Sequence, residues 1–361
     1  MYNKNMKFVL ISVEEFKKFA NQNQYRSFTQ TSEIASYRES EGWTSYYFAV
    51  KEGEEILAAA LAFAKPTFFG KSLFTIPGGP LLDLEKTALT KFFLSKIRSY
   101  AKTHNGYVLQ ISPYYELIQR DRNGIEVEHG FNHQKVVSAL QSLGFKPVQH
   151  ASQPKYLFAL DINGRTADEL WSEFKRNTRN HIRKAEKMGV EIREIDEDEL
   201  PKLKQITEST SERRNFTDRP LAYYEKMYRL FVPKNEAKFI LAEAKIDGKT
   251  VPLSAAMFIM YGDEIIYLFS GSDQKYMRDY NAQYLIQWYM IQYAAKHHFK
   301  RYNFYGIQGL PDPNAKDYGI YEFKKGFGGH VIELVGTYES SLNAFYYLNK
   351  MLAKIKNHLH R

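Results

Sequence analysis

The chain has 361 residues, which at roughly 150 residues per domain points to two domains. A content of 44% apolar and 25% charged residues is ordinary for a globular protein and excludes disordered and fibrous classes. Lys and Arg number 50 against 41 Asp and Glu, a net charge of +9 that calls for an anionic partner: nucleic acid, nucleotide, phospholipid or phosphorylated sugar. No cysteine is present, which removes disulfides, thiol nucleophiles, Fe–S clusters and Cys-based zinc sites, and agrees with a cytoplasmic protein. Aromatics reach 15%, with 27 Tyr, and such flat faces with polar ends suit a sugar- or nucleotide-lining cleft. The longest apolar run, Ile56–Ala64, is far short of the ~20 residues that span a bilayer. Phe8–Ile11 is too short for a signal segment.

Taken in chain order, Ser45–Lys51 alternates as a strand, Gly53 turns, and Ile56–Ala64 and Lys71–Ile76 follow as strands up to Gly78-Gly79-Pro80. Leu84–Thr103 carries the helical stripe Leu89, Phe92, Phe93, Ile97 and Tyr100, and Tyr107–Ser112 returns as a strand. After a polar boundary at His150–Lys155, Thr166–Met188 reads as one basic amphipathic helix. Arg213–Tyr224 reads as an irregular segment ending in Arg219-Pro220, with a helix over Leu221–Phe231. Lys238–Ile246, Val251–Tyr261 and Glu264–Ser270 then form strands around the turns Asp247-Gly248 and Gly262-Asp263. Asn281–His298 is a helix striped by Leu285, Trp288, Tyr289 and Tyr293, and Tyr302–Tyr305 is a strand. Hairpin, strand, long helix and strand thus occur twice, roughly 190 residues apart. The order resembles the acetyltransferase-type (GNAT) α/β fold, present in two tandem copies. The expected domains are 1–152 with the C-terminal helix 338–361, and 153–337. Phe231 leads to a strand within seven residues, so no coiled-coil arm is expected.

Several chemistries fall away. His297-His298 and His358/His360 lack any H-E-x-x-H pattern and read as surface histidines, so neither a metal nor a cofactor is expected. G-x-S-x-G and the P-loop are absent. The glycine-bearing pyrophosphate loop of acetyl-CoA enzymes is replaced by Asp273–Asn281 without a glycine, so another acyl donor is expected. The densest signal is Gly306–Gly329, where six of the 21 glycines fall; it reads as a loop at a strand end, with Phe323-Lys324 inside it. A lysine held on an aromatic face there suits a developing oxyanion or phosphate, against the plain alternative of a solvated loop. Arg219, just before a helix start, combines guanidinium and dipole in favour of an anion. Lys175, Arg176, Arg179, Arg183 and Lys187 form a basic strip, either a phosphate-facing surface or an ordinary solvated face.

Thr29-Gln30, Ala35-Ser36-Tyr37-Arg38, Trp43, Gly78-Gly79-Pro80, Tyr107-Val108-Leu109 with Pro113, Arg176 with Arg183-Lys184-Ala185 and Gly189-Val190, Arg219-Pro220-x-x-Tyr223, Tyr267 with Ser270-Gly271-Ser272, and Tyr321-x-Phe323-Lys324 occur in one order. Together they resemble the Fem family of peptidoglycan bridge-forming aminoacyltransferases over nearly the whole chain, and its armless members in particular. The resemblance implies two GNAT-like domains. It also implies an aminoacyl-tRNA donor, and as acceptor the stem-peptide amine of UDP-MurNAc-pentapeptide or lipid II. It places Arg38 and Arg219 on the precursor's phosphates, Tyr223 at a neighbouring contact and Tyr107 in the binding channel; if both arginines grip the precursor, its site is a cleft between the first domain and the start of the second. Phe323 and Lys324 meet the tRNA terminus and the ester's developing charge; the charge of the basic strip, together with the net +9, is what would bring it to the tRNA. Ser112 stands where a close armless relative carries an aspartate, and Phe269 where it carries a tyrosine, so no general base is named. A monomer is implied, cytoplasmic and in peripheral contact with the inner membrane face. Two other readings stand beside this one: a non-catalytic RNA- or membrane-surface-binding protein, and a related transferase that modifies protein N-termini.

Overall fold

The computed structural model describes residues 5–149, 151–214 and 217–359; His150, Asn215, Phe216 and His360 therefore lie outside the described residues. The chain forms two compact units: 1–119 with 129–155 and 333–361, and 120–128 with 156–332. The segment Arg120–Glu128, left in the first domain by the sequence reading, clusters with the second unit.

The first unit is built on a seven-stranded sheet in the order Met6–Leu10, Thr44–Glu52, Glu55–Pro66, Ser72–Gly78, Gly106–Pro113, Tyr338–Ser341, Lys146–Pro147. Helix Thr87–Thr103 buries Leu89, Phe93, Leu94, Ile97 and Ala101 on the core around Phe48, Phe74 and Leu109. It begins three residues later than the periodicity suggests, because the Asp83 carboxylate accepts the Glu85 N–H and makes a turn before the helix. The parallel strands Ser72–Gly78 and Gly106–Pro113 stay paired to their ends, up to Gly78 opposite Pro113. On the other side, pairing with Glu55–Pro66 stops at Phe63 and Thr75, and the Gln30 amide takes over. Its Nε2 donates to the Leu61 and Pro77 carbonyls, and its Oε1 accepts the Leu61 N–H at 2.8 Å. Gln30 is fully buried and stands in for a missing piece of strand.

The second unit repeats the plan. Its strands run Tyr156–Asp161, Arg301–Ile307, Glu264–Ser272, Lys249–Tyr261, Ala237–Ile246, Glu191–Glu194, with helix Ala282–Lys296 packed on the sheet. Ile286, Trp288, Met290 and Ile291 of that helix join Phe158, Phe258, Tyr302 and Phe304 in one core. Strand Ala237–Ile246 follows helix Leu221–Phe231 and the short turn Val232–Lys234, so no coiled-coil arm intervenes.

Three local expectations are corrected. The basic stretch is two helices, Ala167–Glu173 and Arg176–Lys187, broken by extended backbone at Phe174 and Lys175. The break lets the second helix approach Gly326 so closely that a Cβ there would meet Thr178 Oγ1 at 2.2 Å. Arg213 and Arg214 end a helix, Leu200–Arg214, instead of lying in an irregular segment. Tyr318–Lys325 is a helix within the glycine-rich region and buries Tyr321 and Lys324 one turn apart.

Gln30→Ala orphans the Leu61 N–H and carbonyl in the core, and at about 1–3 kcal/mol per unsatisfied group should cost about 2–4 kcal/mol. Denaturant unfolding measures this, and a loss below about 1 kcal/mol would show that the amide is not a strand surrogate.

Candidate functional site

In the second unit the equivalent parallel strands do not stay together. Glu264–Ser272 pairs with Arg301–Ile307 only from Glu264/Arg301 to Ile266/Asn303, and beyond that the two diverge. A bulge at Met257/Phe258 in the neighbouring pairing and another at Asn303/Gly306 bend the two strands away from each other. A pocket of about 430 Å³ opens between them, lined by Tyr267–Ser272 on one side and Phe304, Tyr305 and Gly306 on the other. Phe323 and Lys324 line it too, as do Thr210, Arg213, Arg214 and the residues 281–284 at the start of the long helix.

Helix Leu200–Arg214 reaches this pocket because Gly271 allows it to lie on the strand: a Cβ there would meet the Ile206 carbonyl oxygen at 2.5 Å. Thr210 Oγ1 accepts the Ser272 N–H at 2.9 Å and holds the helix end in place. Arg213 and Arg214 are thereby set on the wall, and with Arg278 they also line an adjoining hollow. No carboxylate pairs with these three guanidinium groups among the described residues. Burial and the neighbouring Arg214 charge lower the Arg213 guanidinium from its usual value. The pocket wall is electropositive.

Lys324 is buried, and its surroundings are polar in one respect only. Nζ donates to the Gly306 carbonyl at 2.6 Å and to the Tyr305 carbonyl at 3.2 Å. Two successive carbonyls converge because Tyr305 is left-handed, φ 64°, a conformation a bulky residue rarely adopts. The Asn303 side chain accepts the Tyr305 N–H at 2.8 Å and braces the bulge. Burial, with the Arg214 charge adding to it, pulls the Lys324 ammonium down from 10.5 to about 7. The site thus holds a lysine that both gives up and regains its proton near neutrality. The expected cation–π clamp on Lys324 is not its anchor: the carbonyls are, and it is Lys325 that lies over an aromatic ring, 5.2 Å from Tyr321. Phe323, half buried, stacks edge-on against Tyr284 and Phe327 and forms an apolar shoulder beside the amine.

A polar chain lines the opposite wall. Gln283 donates to the Tyr267 hydroxyl at 2.7 Å and accepts from Ser254, while Tyr267 donates to Ser270. Burial raises Tyr267 above its ordinary value. Tyr305, Asn303 and Gln283 escaped the sequence reading, and Arg214 stood there only within the irregular stretch before Arg219. Only the region was signalled, by glycines at the strand end.

The remaining sequence-derived candidates are placed as follows. Arg219 lies 5.3 Å from the Tyr223 ring and 5.8 Å from the Phe269 ring, and the two rings meet edge-on at 5.4 Å. In the first unit, Arg38 is sandwiched between Trp43 and Phe63 at 4.7 Å from each, and burial lowers its guanidinium. Tyr107 is buried, edge-on to Phe345, and its hydroxyl accepts from Asn349. Ser112 shares a hydrogen bond with Thr337 at 2.8 Å. On the basic strip, Lys175 pairs with Glu322 at 2.9 Å, and Arg179 donates to the Ser172 and Phe174 carbonyls, closing the preceding helix. Arg183 lies 5.4 Å from the Trp171 ring, while Arg176 and Lys187 are exposed.

The FemAB family model matches residues 11–248 and 244–355. Aminoacyltransferase FemA of Staphylococcus epidermidis is 27% identical across 97% of this chain and 100% of that protein. The crystal structure of FemX superposes with a TM-score of 0.82 at 20% identity, over 95% of this chain and 99% of that one. A tandem GNAT protein from the clavulanic acid biosynthesis pathway superposes at 0.58 with 10% identity, over 94% and 99%. These likenesses carry the tandem GNAT fold.

Lys324 should titrate near pH 7, charged below and neutral above. Reductive methylation with ¹³C-formaldehyde and an NMR pH titration, assigned by Lys324→Met, would show it. A midpoint near the ordinary 10.5 would contradict the buried, carbonyl-held amine.

Proposed function

The chain belongs to the FemAB family, and on that premise we propose that it transfers the amino acid of an aminoacyl-tRNA to the stem-peptide amine of a peptidoglycan precursor, building the interpeptide bridge. The acceptor is UDP-MurNAc-pentapeptide or lipid II. The observation that supports this reading most is the buried Lys324 at the mouth of two parted strands, beside an electropositive wall and an apolar shoulder.

An aminoacyl ester is already activated, so the protein's work is alignment and charge. The acceptor nitrogen attacks the ester carbonyl carbon, and the carbonyl oxygen becomes an oxyanion. Collapse breaks the bond to the ribose 3′-oxygen, which takes up a proton lost by the nitrogen. Alignment of two bound reactants can supply several kcal/mol of the barrier. The Lys324 ammonium, with two N–H groups held by carbonyls, has one left to meet the oxyanion. As the ammonium is the working form, the lysine's contribution falls as pH rises through its folded value of about 7, and bound phosphates move that limb upward. Phe323 meets the terminal base of the tRNA, and Arg213 and Arg214 neutralise its phosphates beside the pocket. Of the basic strip, Arg176, Arg183 and Lys187 extend that basic surface, while Lys175 is paired with Glu322 and Arg179 closes the preceding helix.

Arg38 and Arg219 grip the precursor's phosphates, with Tyr223 and Phe269 backing Arg219. Tyr107 and Ser112 belong to the acceptor's channel. Each arginine is oriented by aromatic faces and carries a planar fork suited to phosphate. The protein works as a monomer in the cytoplasm, in peripheral contact with the membrane face where a lipid-linked acceptor is presented.

Lys324→Met should lower turnover by about two orders of magnitude or more, as loss of one oxyanion donor does elsewhere, and leave precursor affinity nearly unchanged. Equal losses in affinity and turnover, measured by calorimetry and product formation, would remove the transition-state role. Arg38→Ala and Arg219→Ala should each weaken precursor binding by roughly 10- to 150-fold, the equivalent of about 1.5–3 kcal/mol, and spare tRNA binding. Normal precursor binding by either variant would take that arginine out of the acceptor site.

A further inference from the structure

Within the first unit, the first two turns of the C-terminal helix Phe345–Leu359 are inside out. Its polar side chains are the anchored ones: Tyr346 and Lys350 bond to Glu339, at 2.7 and 2.6 Å, and Asn349 donates to the Tyr107 hydroxyl. Among the described side chains, Phe345 packs on Tyr107, whereas Tyr347, Leu348, Met351 and Leu352 face solvent, 62%, 44%, 53% and 48% exposed. Positions 347, 348, 351 and 352 fall on one helical face. A surface helix in water shows the opposite pattern.

A second element adds to this face. The hairpin between Glu55–Pro66 and Ser72–Gly78 is closed at its base, where Thr67 N–H and Oγ1 donate to the Lys71 carbonyl at 2.7 and 2.8 Å. Its tip presents Phe68 and Phe69 at 80% and 81% exposure, the largest values among the exposed apolar side chains of the described residues. Phe69 is left-handed, φ 59°, where a phenylalanine is strained. The Phe69 ring meets Phe345 edge-on at 6.0 Å, so tip and helix are continuous.

The charge beside the tip is positive: Lys65 and Lys71 flank it, and Lys65 is exposed. On the helix, Lys350 is paired with Glu339. A second copy of the chain meeting this face across a two-fold axis would set lysines against lysines. An anionic bilayer surface complements both features at once, taking up aromatic tips at headgroup depth and lysines at the phosphates.

We propose that the Phe68-Phe69 hairpin tip and the outward face of helix Phe345–Leu359 together dock the first unit on an anionic membrane surface. This deepens the peripheral-membrane part of the reading above and leaves the chemistry of transfer untouched. The full chain should co-sediment with phosphatidylglycerol-containing vesicles, less at high salt, and hardly with vesicles of phosphatidylcholine alone. Phe68→Ser with Phe69→Ser should weaken that binding roughly tenfold or more, as should Leu348→Ser with Met351→Ser. The first pair should unfold at the wild-type temperature and transfer normally to a water-soluble nucleotide-linked acceptor. Absence of vesicle binding, equal binding by the variants, or a sedimentation-velocity dimer that the Phe pair dissolves would each overturn the proposal. Failure of the wild-type protein to transfer to either the soluble or the lipid-linked acceptor would instead strike the proposed function.

Discussion

Everything in the candidate site depends on two parallel strands that stop pairing. In the first unit the corresponding pair stays bonded to Gly78 and Pro113, and the sheet is closed there. In the second, pairing ends at Ile266 and Asn303, and the strands carry different side chains into the space between them. Backbone groups released from a ladder must find other partners. Here the Tyr305 and Gly306 carbonyls find the Lys324 ammonium. One constraint thus creates the pocket and anchors its charged group, and the burial that follows tunes that group. Two copies of one fold have divided the work: one gap is sealed, the other left open for a ligand.

The arginines follow a second rule. Arg38 and Arg219 are ordered by aromatic faces instead of by carboxylates. A guanidinium paired with an acid has spent its charge, whereas one stacked on rings is fixed in place and keeps its donors for an anion. The contrast with Arg193 is direct, because that residue is bonded to Glu199 and Glu243 and carries a purely structural load. Arg179 is likewise spent, on the carbonyls at the end of a helix.

The duplicated architecture was legible because its signals are local. Turn glycines such as Gly53 and Gly248 mark the hairpins, and the stripes of Leu89–Ile97 and Leu285–Trp288 mark the helices. What stayed hidden depends on neighbours far along the chain. The break at Phe174-Lys175 has no proline or glycine of its own and goes with a close approach to Gly326, far along the chain. The Lys324 anchor rests on a left-handed tyrosine, a conformation no sequence pattern announces. Gln30 reads as an ordinary polar residue until the strand it completes is seen. The region of the site was readable from its glycines; the mechanism of its charge was not.

Incubation of the protein with aminoacyl-tRNA and the nucleotide-linked precursor, followed by mass spectrometry of the precursor, tests the central claim most directly. The account predicts a gain of one aminoacyl residue, mapped by fragmentation to the stem-peptide amine and absent when the tRNA is uncharged. An unmodified precursor with lipid II likewise unmodified in a parallel incubation, or an aminoacyl group found only on a protein N-terminus, would contradict it.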